Sequence, residues 1–523
     1  MSLSYRQILI AILIFVVASI ATLIAPHIER VIAFAAIDDG LYYPIVAENI
    51  AKLGQFTYDG ISITNGFHPL YLLIILPIFT VISDPWVALK ALYCLIVIIM
   101  VIACFLFGWI SRRLEFGLAG FLLAFLILFA NLRSFTIFFS LIEAPLVLLI
   151  YICYLAFCIQ VGDKRFEDVR IAFFSGLLIG LAFLSRTDSV FLVLGFGAVL
   201  IYRFIFKKIS LRQLIETCLS AACGTMLPVG PYLAINYSAF GHFISVSGYR
   251  KVRFPDSFNS FIYPIKSFYI YFIPRLALAL GISEKFSIVL SGLFLGAVAL
   301  VVALLFTKTN REKMTKLFAT FGDFIIFSII HFFAVYTFTP GEAFISAWYY
   351  VSEILVFSLF VGFLIPKQRL IDWIAIFSFT LALIIQAIIY PNFVRHKTMS
   401  WAKLEVAHFI RQNLPSDARL SMYDSGITAY FSRRHFVGLN GLIGDFLLAD
   451  LLADRRYAEV AAKYKIEYLV LDIDPKKHSY LPGKEVFRGT IKTKFSDFRE
   501  GEKYFAVYKI TPLEMEEIYK IRY

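Results

Sequence analysis

Apolar runs of about 18 residues or more, separated by short polar turns, recur along most of this 523-residue chain. A run of that length with few charges can cross a hydrocarbon layer about 30 Å thick as a helix. Eleven spans are expected, at roughly 8–25, 86–110, 116–131, 143–160, 171–186, 188–206, 213–236, 286–306, 318–338, 345–365 and 370–390. Only 16% of the residues are charged and 60% are hydrophobic, against roughly 25% and 45–50% in an average soluble domain. The fold class is an all-α polytopic membrane bundle. The run at 8–25 has no small-residue cleavage site after it and reads as a retained anchor.

The net charge of +12 does not indicate nucleic acid, because the basic residues sit in short loops between spans. "SRRLEFG", "VGDKRFEDVR", "RFIFKKISLRQ", "TKTNREKMTK" and "PKQR" fall on one side if eleven spans are counted, and an excess of Lys and Arg marks the cytoplasmic side. The N-terminus is then inside. The loops holding Asp38 and Asp39, Glu143, Arg186, residues 249–253 and residues 341–348 are outside. The six cysteines (Cys94, Cys104, Cys153, Cys158, Cys218 and Cys223) fall in or beside apolar runs and read as small buried hydrophobes, with neither a disulfide framework nor zinc spacing.

"HPLYLLIILPIFTVI" (68–82) is short and holds two prolines. Counting it as a span would break the charge pattern, so it reads as an interfacial or re-entrant helix on the outer face. Residues 41–53 are amphipathic and expected along the surface; 258–281 is read as interfacial too. From about residue 399 charge rises and long apolar runs stop. "WAKLEVAHFIRQNLP" has helical spacing and stops at Pro415, while "RLSMYD", "HFVGLNG" and "EYLVLDID" read as strands ending in turns. The expected division is a membrane domain at 1–392, with a first outer loop at 27–85, and a soluble α/β domain at 393–523.

Several charges sit where solvation alone does not account for them. Asp38 and Asp39 read as helix caps, as a general base with a carboxylate neighbour, or as ligands of a divalent cation; one member can cap while the other reacts. His68, in "TNGFHPLY", sits at a turn from which an imidazole can reach a phosphate or a metal. Glu143, in "FFSLIEAPLVLL", marks the outer start of a span; it is either a site residue or the partner of Arg133 or Arg186. Arg186 and Asp188 form a polar break, read as a hairpin facing water or as an anion contact. Arg250, Lys251 and Arg253 are basic residues on the outer side, suited to lipid headgroups or phosphates. Trp348, Tyr349 and Tyr350 read as an aromatic belt, with Glu353 about one turn deeper.

Together these residues resemble the GT-C superfamily of polyprenyl-phosphate-dependent glycosyltransferases. The outer loop is similar to a bacterial subgroup reading D-D-x-x-Y-Y, F-x-x-D-G and T-N-G-F-H-P-L, here Asp38 to Tyr43, Phe56 to Gly60 and Thr64 to Leu70. Glu143, Arg186-Thr187-Asp188, Ser247-Gly248 and Lys251 extend the match, and "RQNLPSDARLSMYDSGITAYFS" looks like the start of the C-terminal domain of mycobacterial arabinofuranosyltransferases. Ile142, where Met is expected, and the lack of Pro in "FISVSG" depart from the pattern. The resemblance implies a helical membrane bundle with a catalytic first loop, in a bacterial inner membrane, its C-terminal domain periplasmic. It implies inverting transfer of a sugar from a polyprenyl-phosphate donor to a hydroxyl of a cell-envelope glycan or lipid acceptor. Asp38 or Asp39 would be the base. His68, Arg186, Arg250 and Lys251 would hold the donor phosphate, and Tyr42, Asn65, Glu143 and Asp188 would contact substrate. Metal use stays open, as do the sugar and the acceptor. A lipid-linked sugar flippase is the competing class; it predicts inverted repeats and charges in broken central helices, neither of which is visible. A glycan-binding protein acting through its C-terminal domain is a third.

Overall fold

The computed structural model describes residues 4, 6–14, 36–130, 134, 137–252, 308–338, 347–381, 399–473, 483–493 and 501–522. Among these, five helices are long and apolar enough to cross a membrane: Pro85–Arg113, Ala144–Phe166, Thr187–Ile205, Leu211–Phe240 and Glu312–Val335. Four apolar helices are shorter: Pro69–Val81, Leu118–Ala130, Val169–Ser185 and Trp348–Leu364. The expected span at 286–306 and the interfacial stretch at 258–281 lie outside the described residues, as do most of 8–25 and part of 370–390.

Helix boundaries follow local chemistry. Asp84 caps the Pro85–Arg113 helix by accepting from the backbone N–H groups of Trp86 and Val87. Asp168 does the same for Val169–Ser185, and Ser210 with Gln213 forms a capping box for Leu211–Phe240. Val169–Ser185 and Leu211–Phe240 cross closely through small residues. A Cβ placed on Gly176 would lie 1.9 Å from the Ala221 carbonyl oxygen, and one on Gly224 would lie 2.0 Å from that of Phe173. Such contacts replace the hydrophobic driving force that lipid removes.

The chain alternates between two ends of the bundle. Glu143, Arg186, Lys251 and Trp348 gather at one end, around a single cavity. The opposite turns carry Arg112 and Arg113, then Lys164 and Arg165, then Lys207 and Lys208. Pro69–Val81 departs from this alternation. His68, at its start, lines the cavity; Pro85, just past its end, accepts from the Tyr430 hydroxyl of the C-terminal domain. Both ends therefore lie at the same end of the bundle, as expected of a segment that does not cross.

The C-terminal region holds a five-stranded sheet of order β2-β1-β3-β5-β4. Strands β1 (Arg419–Met422), β2 (His435–Gly438) and β3 (Tyr468–Ile473) are the three strands read from sequence, and they pair in parallel. Strands β4 (Lys484–Thr493) and β5 (Gly501–Lys509) extend the sheet antiparallel beyond β3.

Two expectations need correction. The Asp38–Leu53 helix does not offer a free amphipathic face at its start: Gly40 to Pro44, Val46, Ala47 and Glu48 are buried in protein. The helix Gly426–Ser432 packs on it so closely that a Cβ at Gly426 would lie 2.0 Å from the Asp38 carbonyl oxygen. Cys94, Cys218 and Cys223 are exposed on the bundle rather than buried.

Candidate active site

The first loop is folded by its own polar side chains. Asp59 accepts from the N–H groups of Ile61 and Ser62 and from the hydroxyls of Thr57 and Ser62. Gly60 takes φ +74° against the ring of His435, where a Cβ would come within 2.8 Å. The F-x-x-D-G stretch is thus a turn built to carry Thr64 to His68 back toward the bundle. Asn65 then ties the loop to the end of Leu211–Phe240: its Oδ1 accepts from Val246 N (2.8 Å) and its Nδ2 donates to Ile244 O (3.4 Å). This anchors the short helix Val246–Lys251, which carries Lys251.

A cavity of about 150 Å³ opens between these elements, lined by Asp39, Tyr42, Tyr43, His68, Glu143, Arg186, Asp188, Lys251, Tyr349 and Leu442, among others. Residues from seven separated stretches of the sequence meet there. Arg186 Nη1 donates to Glu143 Oε1 (2.6 Å) and its Nε to Asp188 Oδ2 (2.8 Å). Its guanidinium lies 4.2 Å from the centre of the Tyr349 ring, and Lys251 Nζ reaches the Tyr349 hydroxyl (3.3 Å). Tyr349 is therefore a cavity wall beneath two cations, not merely part of an interfacial belt. Glu143 Oε2 accepts from the Tyr43 hydroxyl (2.8 Å), so both its oxygens are occupied. His68 Nε2 lies 3.6 Å from Glu143 Oε1; burial draws its pKa below the ordinary imidazole value although Glu143 pulls the other way.

Of the ten side chains named from sequence, seven line this cavity: Asp39, Tyr42, His68, Glu143, Arg186, Asp188 and Lys251. Three do not. Asp38 faces the C-terminal domain, where Lys403 Nζ donates to Oδ2 (2.6 Å) and the Ile427 N–H to Oδ1 (3.1 Å). Burial raises its pKa and Lys403 partly offsets this. Asn65 is committed to the backbone of residues 244–246, as described. Arg250 turns toward the Asn440 carbonyl (3.5 Å). Adjacent residues on a helix point about 100° apart, which is why one acid of the pair meets the cavity and the other the domain above it.

Residues missed from sequence include Tyr43, Lys403, Asn440 and His331. Lys403 had a readable signal: it shares a helix face with the buried Val406, Ala407 and Ile410, and a lysine on an apolar stripe calls for a partner. His331 interrupts an apolar run and lies between two carboxylates, 2.8 Å from Glu353 Oε1 and 3.3 Å from Asp188 Oδ2. Asn440 sits in an Asn-Gly pair and reads simply as a turn.

Among the described residues no three His, Cys, Asp or Glu side chains gather to hold a metal. Both oxygens of Asp38 and of Glu143 are also already met by protein donors.

One family model matches residues 390–509, described as a domain of unknown function, DUF8728. No curated protein matches the sequence. Among solved structures, the apo oligosaccharyltransferase of Archaeoglobus fulgidus is similar over 91% of this chain and 71% of that one, with TM-score 0.55 and 14% identity. The same enzyme tethered to an acceptor peptide containing the NVT sequon covers 91% and 70%, at TM-score 0.51 and 13% identity. ArnT from Cupriavidus metallidurans, bound to undecaprenyl phosphate, is similar over 94% of this chain and 97% of its own, with TM-score 0.54 and 12% identity. At these identities the likeness is one of fold: the chain shares the architecture of these proteins.

Proposed function

We propose that this chain is a membrane glycosyltransferase that moves a sugar from a polyprenyl phosphate to a hydroxyl of a cell-envelope glycan or lipid, on the non-cytoplasmic face of a bacterial inner membrane. One observation carries the reading: a carboxylate, Asp39, shares a cavity with Arg186, Lys251 and His68 at the ends of apolar helices. Solved neighbours of the same fold hold undecaprenyl phosphate in one case and an acceptor peptide in another. The first-loop motif, rather than the fold, points toward arabinofuranosyltransferases.

In this reading the acceptor oxygen attacks the anomeric carbon as its proton passes to Asp39. The bond from that carbon to the phosphate oxygen breaks, and its electron pair leaves with the phosphate. Attack opposite the leaving group inverts the centre. Lys251 meets the charge that develops on the phosphate. Arg186, held by Glu143, Asp188 and the Tyr349 face, presents its remaining N–H groups in a fixed orientation. Asp38, tied to Lys403, holds the first-loop helix to the C-terminal domain.

The test compares two variants in vesicles supplied with a panel of polyprenyl-phosphate sugars. Asp39→Asn is expected to lower transfer by about 10²–10⁴-fold and leave donor binding intact. Asp38→Asn keeps an acceptor for Lys403 and should retain much of the rate. Normal turnover by Asp39→Asn would remove it as the base, and a wild type that makes no product but carries the lipid-linked sugar across the vesicle would support the flippase instead.

A further inference from the structure

The C-terminal domain reaches the cavity through Leu442, which lines it, and through the amide of Asn440, which bonds to the lining residue Tyr42. Asn440 lies six per cent exposed in the turn after β2. Its Oδ1 accepts from the Leu442 N–H (3.1 Å), a group that can only donate. Its Nδ2 donates to Asp424 Oδ1 (3.2 Å). These two contacts fix which end of the amide is which. The remaining N–H donates to the Tyr42 hydroxyl oxygen (2.8 Å), so Tyr42 is the acceptor in that bond.

A phenol that accepts from Asn440 has its own proton free to turn elsewhere. The Tyr42 ring is packed edge-on against Tyr58 (5.2 Å between centroids), and Tyr58 is itself tied to Ser425 of the C-terminal domain (2.8 Å). Tyr42 lines the cavity beside Asp39. Burial, with Asp39 and Asp424 nearby, pushes the phenol pKa well above its ordinary value, so the proton is retained.

Resting on the proposed transferase reading, we infer that Asn440 is a positioning residue that makes Tyr42 a hydrogen-bond donor into the reaction cavity, aimed at an oxygen of the sugar or of the attacking hydroxyl beside Asp39. The domain matched by a model of unknown function thereby completes the site built by the membrane bundle. Asn440→Asp is nearly isosteric but places a carboxylate oxygen against the phenol. Tyr42 would then donate to residue 440 and its proton would leave the cavity.

The test measures kcat and KM for donor and acceptor, using the full chain in vesicles. Tyr42→Phe keeps the ring and removes the proton; kcat should fall about ten- to a hundredfold with donor KM unchanged. Asn440→Asp should match it, and the double variant should be no slower than either single one, since both remove the same hydrogen bond. A Tyr42→Phe enzyme with wild-type kcat overturns the inference even if Asn440→Asp fails to fold. Multiplied effects in the double variant overturn it as well. If the wild type itself yields no product with any polyprenyl-phosphate sugar, the transferase reading fails first, and the two failures are told apart by that control.

Discussion

Glu143 holds the cavity's charges together, accepting from Arg186 on one oxygen and Tyr43 on the other. Glu143→Ala would leave a buried guanidinium with only Asp188 for balance, and breaking a buried pair costs about 3–5 kcal/mol. Glu143→Gln keeps one acceptor and should lose clearly less, as read from melting temperatures of the two purified variants; equal losses would mean that the ion pair contributes little. His68 makes a pH prediction. The unfolded chain takes up a proton near the ordinary value of about 6.5, and the folded chain only at lower pH. The unfolded state thus binds more protons in that window. The associated stability is complete above about pH 6.5 and is lost as pH falls through the folded value. Wild-type melting temperature should drop more steeply than that of His68→Asn between about pH 6.5 and 5, and parallel slopes would contradict the lowered imidazole pKa. The chemistry at this scale was largely legible: carboxylates and cations out of place in an apolar chain announce themselves by cost. What sequence could not resolve was direction. Asp38 and Asp39 are chemically identical, and only the domain packed over Asp38 separates them. Asn440 was invisible because its role depends on two partners distant in sequence, Tyr42 and Asp424.

At the scale of elements, glycines decide how near the site's supports can come. Val169–Ser185 ends in Arg186, and Leu211–Phe240 leads into the turn that carries Lys251. Their crossing leaves no room for a Cβ at Gly176 or Gly224. Gly176→Val forces the helices apart and should cost about 1–3 kcal/mol. It should also raise donor KM, although residue 176 touches no substrate, because the distance between Arg186 and Lys251 is set by this contact. An unchanged KM would show that the two cations are placed independently of the crossing. Gly426 plays the same part between the first-loop helix and Gly426–Ser432. The parallel strands were readable because each is a short apolar run closed by a turn residue. Strands β4 and β5 were not: Lys484, Glu485, Glu502 and Lys503 interrupt the apolar pattern at their ends, and the pairing of β5 to β3 is tertiary. The burial of residues 40–48 was missed for a similar reason, since a helix that packs on two partners does not show a single apolar face.

The whole molecule has two unlike ends, and the proposed topology is argued from that difference. The first loop and the C-terminal domain touch through Asp38–Lys403, Tyr58–Ser425 and Tyr42–Asn440, so they lie on one side of the membrane. The turns at the other end carry Arg112, Arg113, Lys164, Lys207 and Lys208. Positive charge is retained on the cytoplasmic side, so the proposed orientation puts the cavity on the other face. In that topology an odd number of crossings separates the turn at residues 112–117 from the first loop, and Pro69–Val81 is not counted among them, because His68 before it lines the cavity and Pro85 after it meets the C-terminal domain. A cysteine introduced at Leu53, exposed near the end of the first-loop helix, should react with a membrane-impermeant thiol reagent in intact cells lacking an outer barrier, in a background where the exposed Cys94, Cys218 and Cys223 are replaced by serine. One introduced at Glu115 should react only after permeabilisation, and a reporter fused after Tyr523 should follow Leu53. Labelling of positions 53 and 115 from the same side would mean that the Pro85–Arg113 helix does not cross. Labelling of 115 alone would invert the molecule, put the cavity in the cytoplasm, and leave its basic turns on the side where such charge is seldom retained.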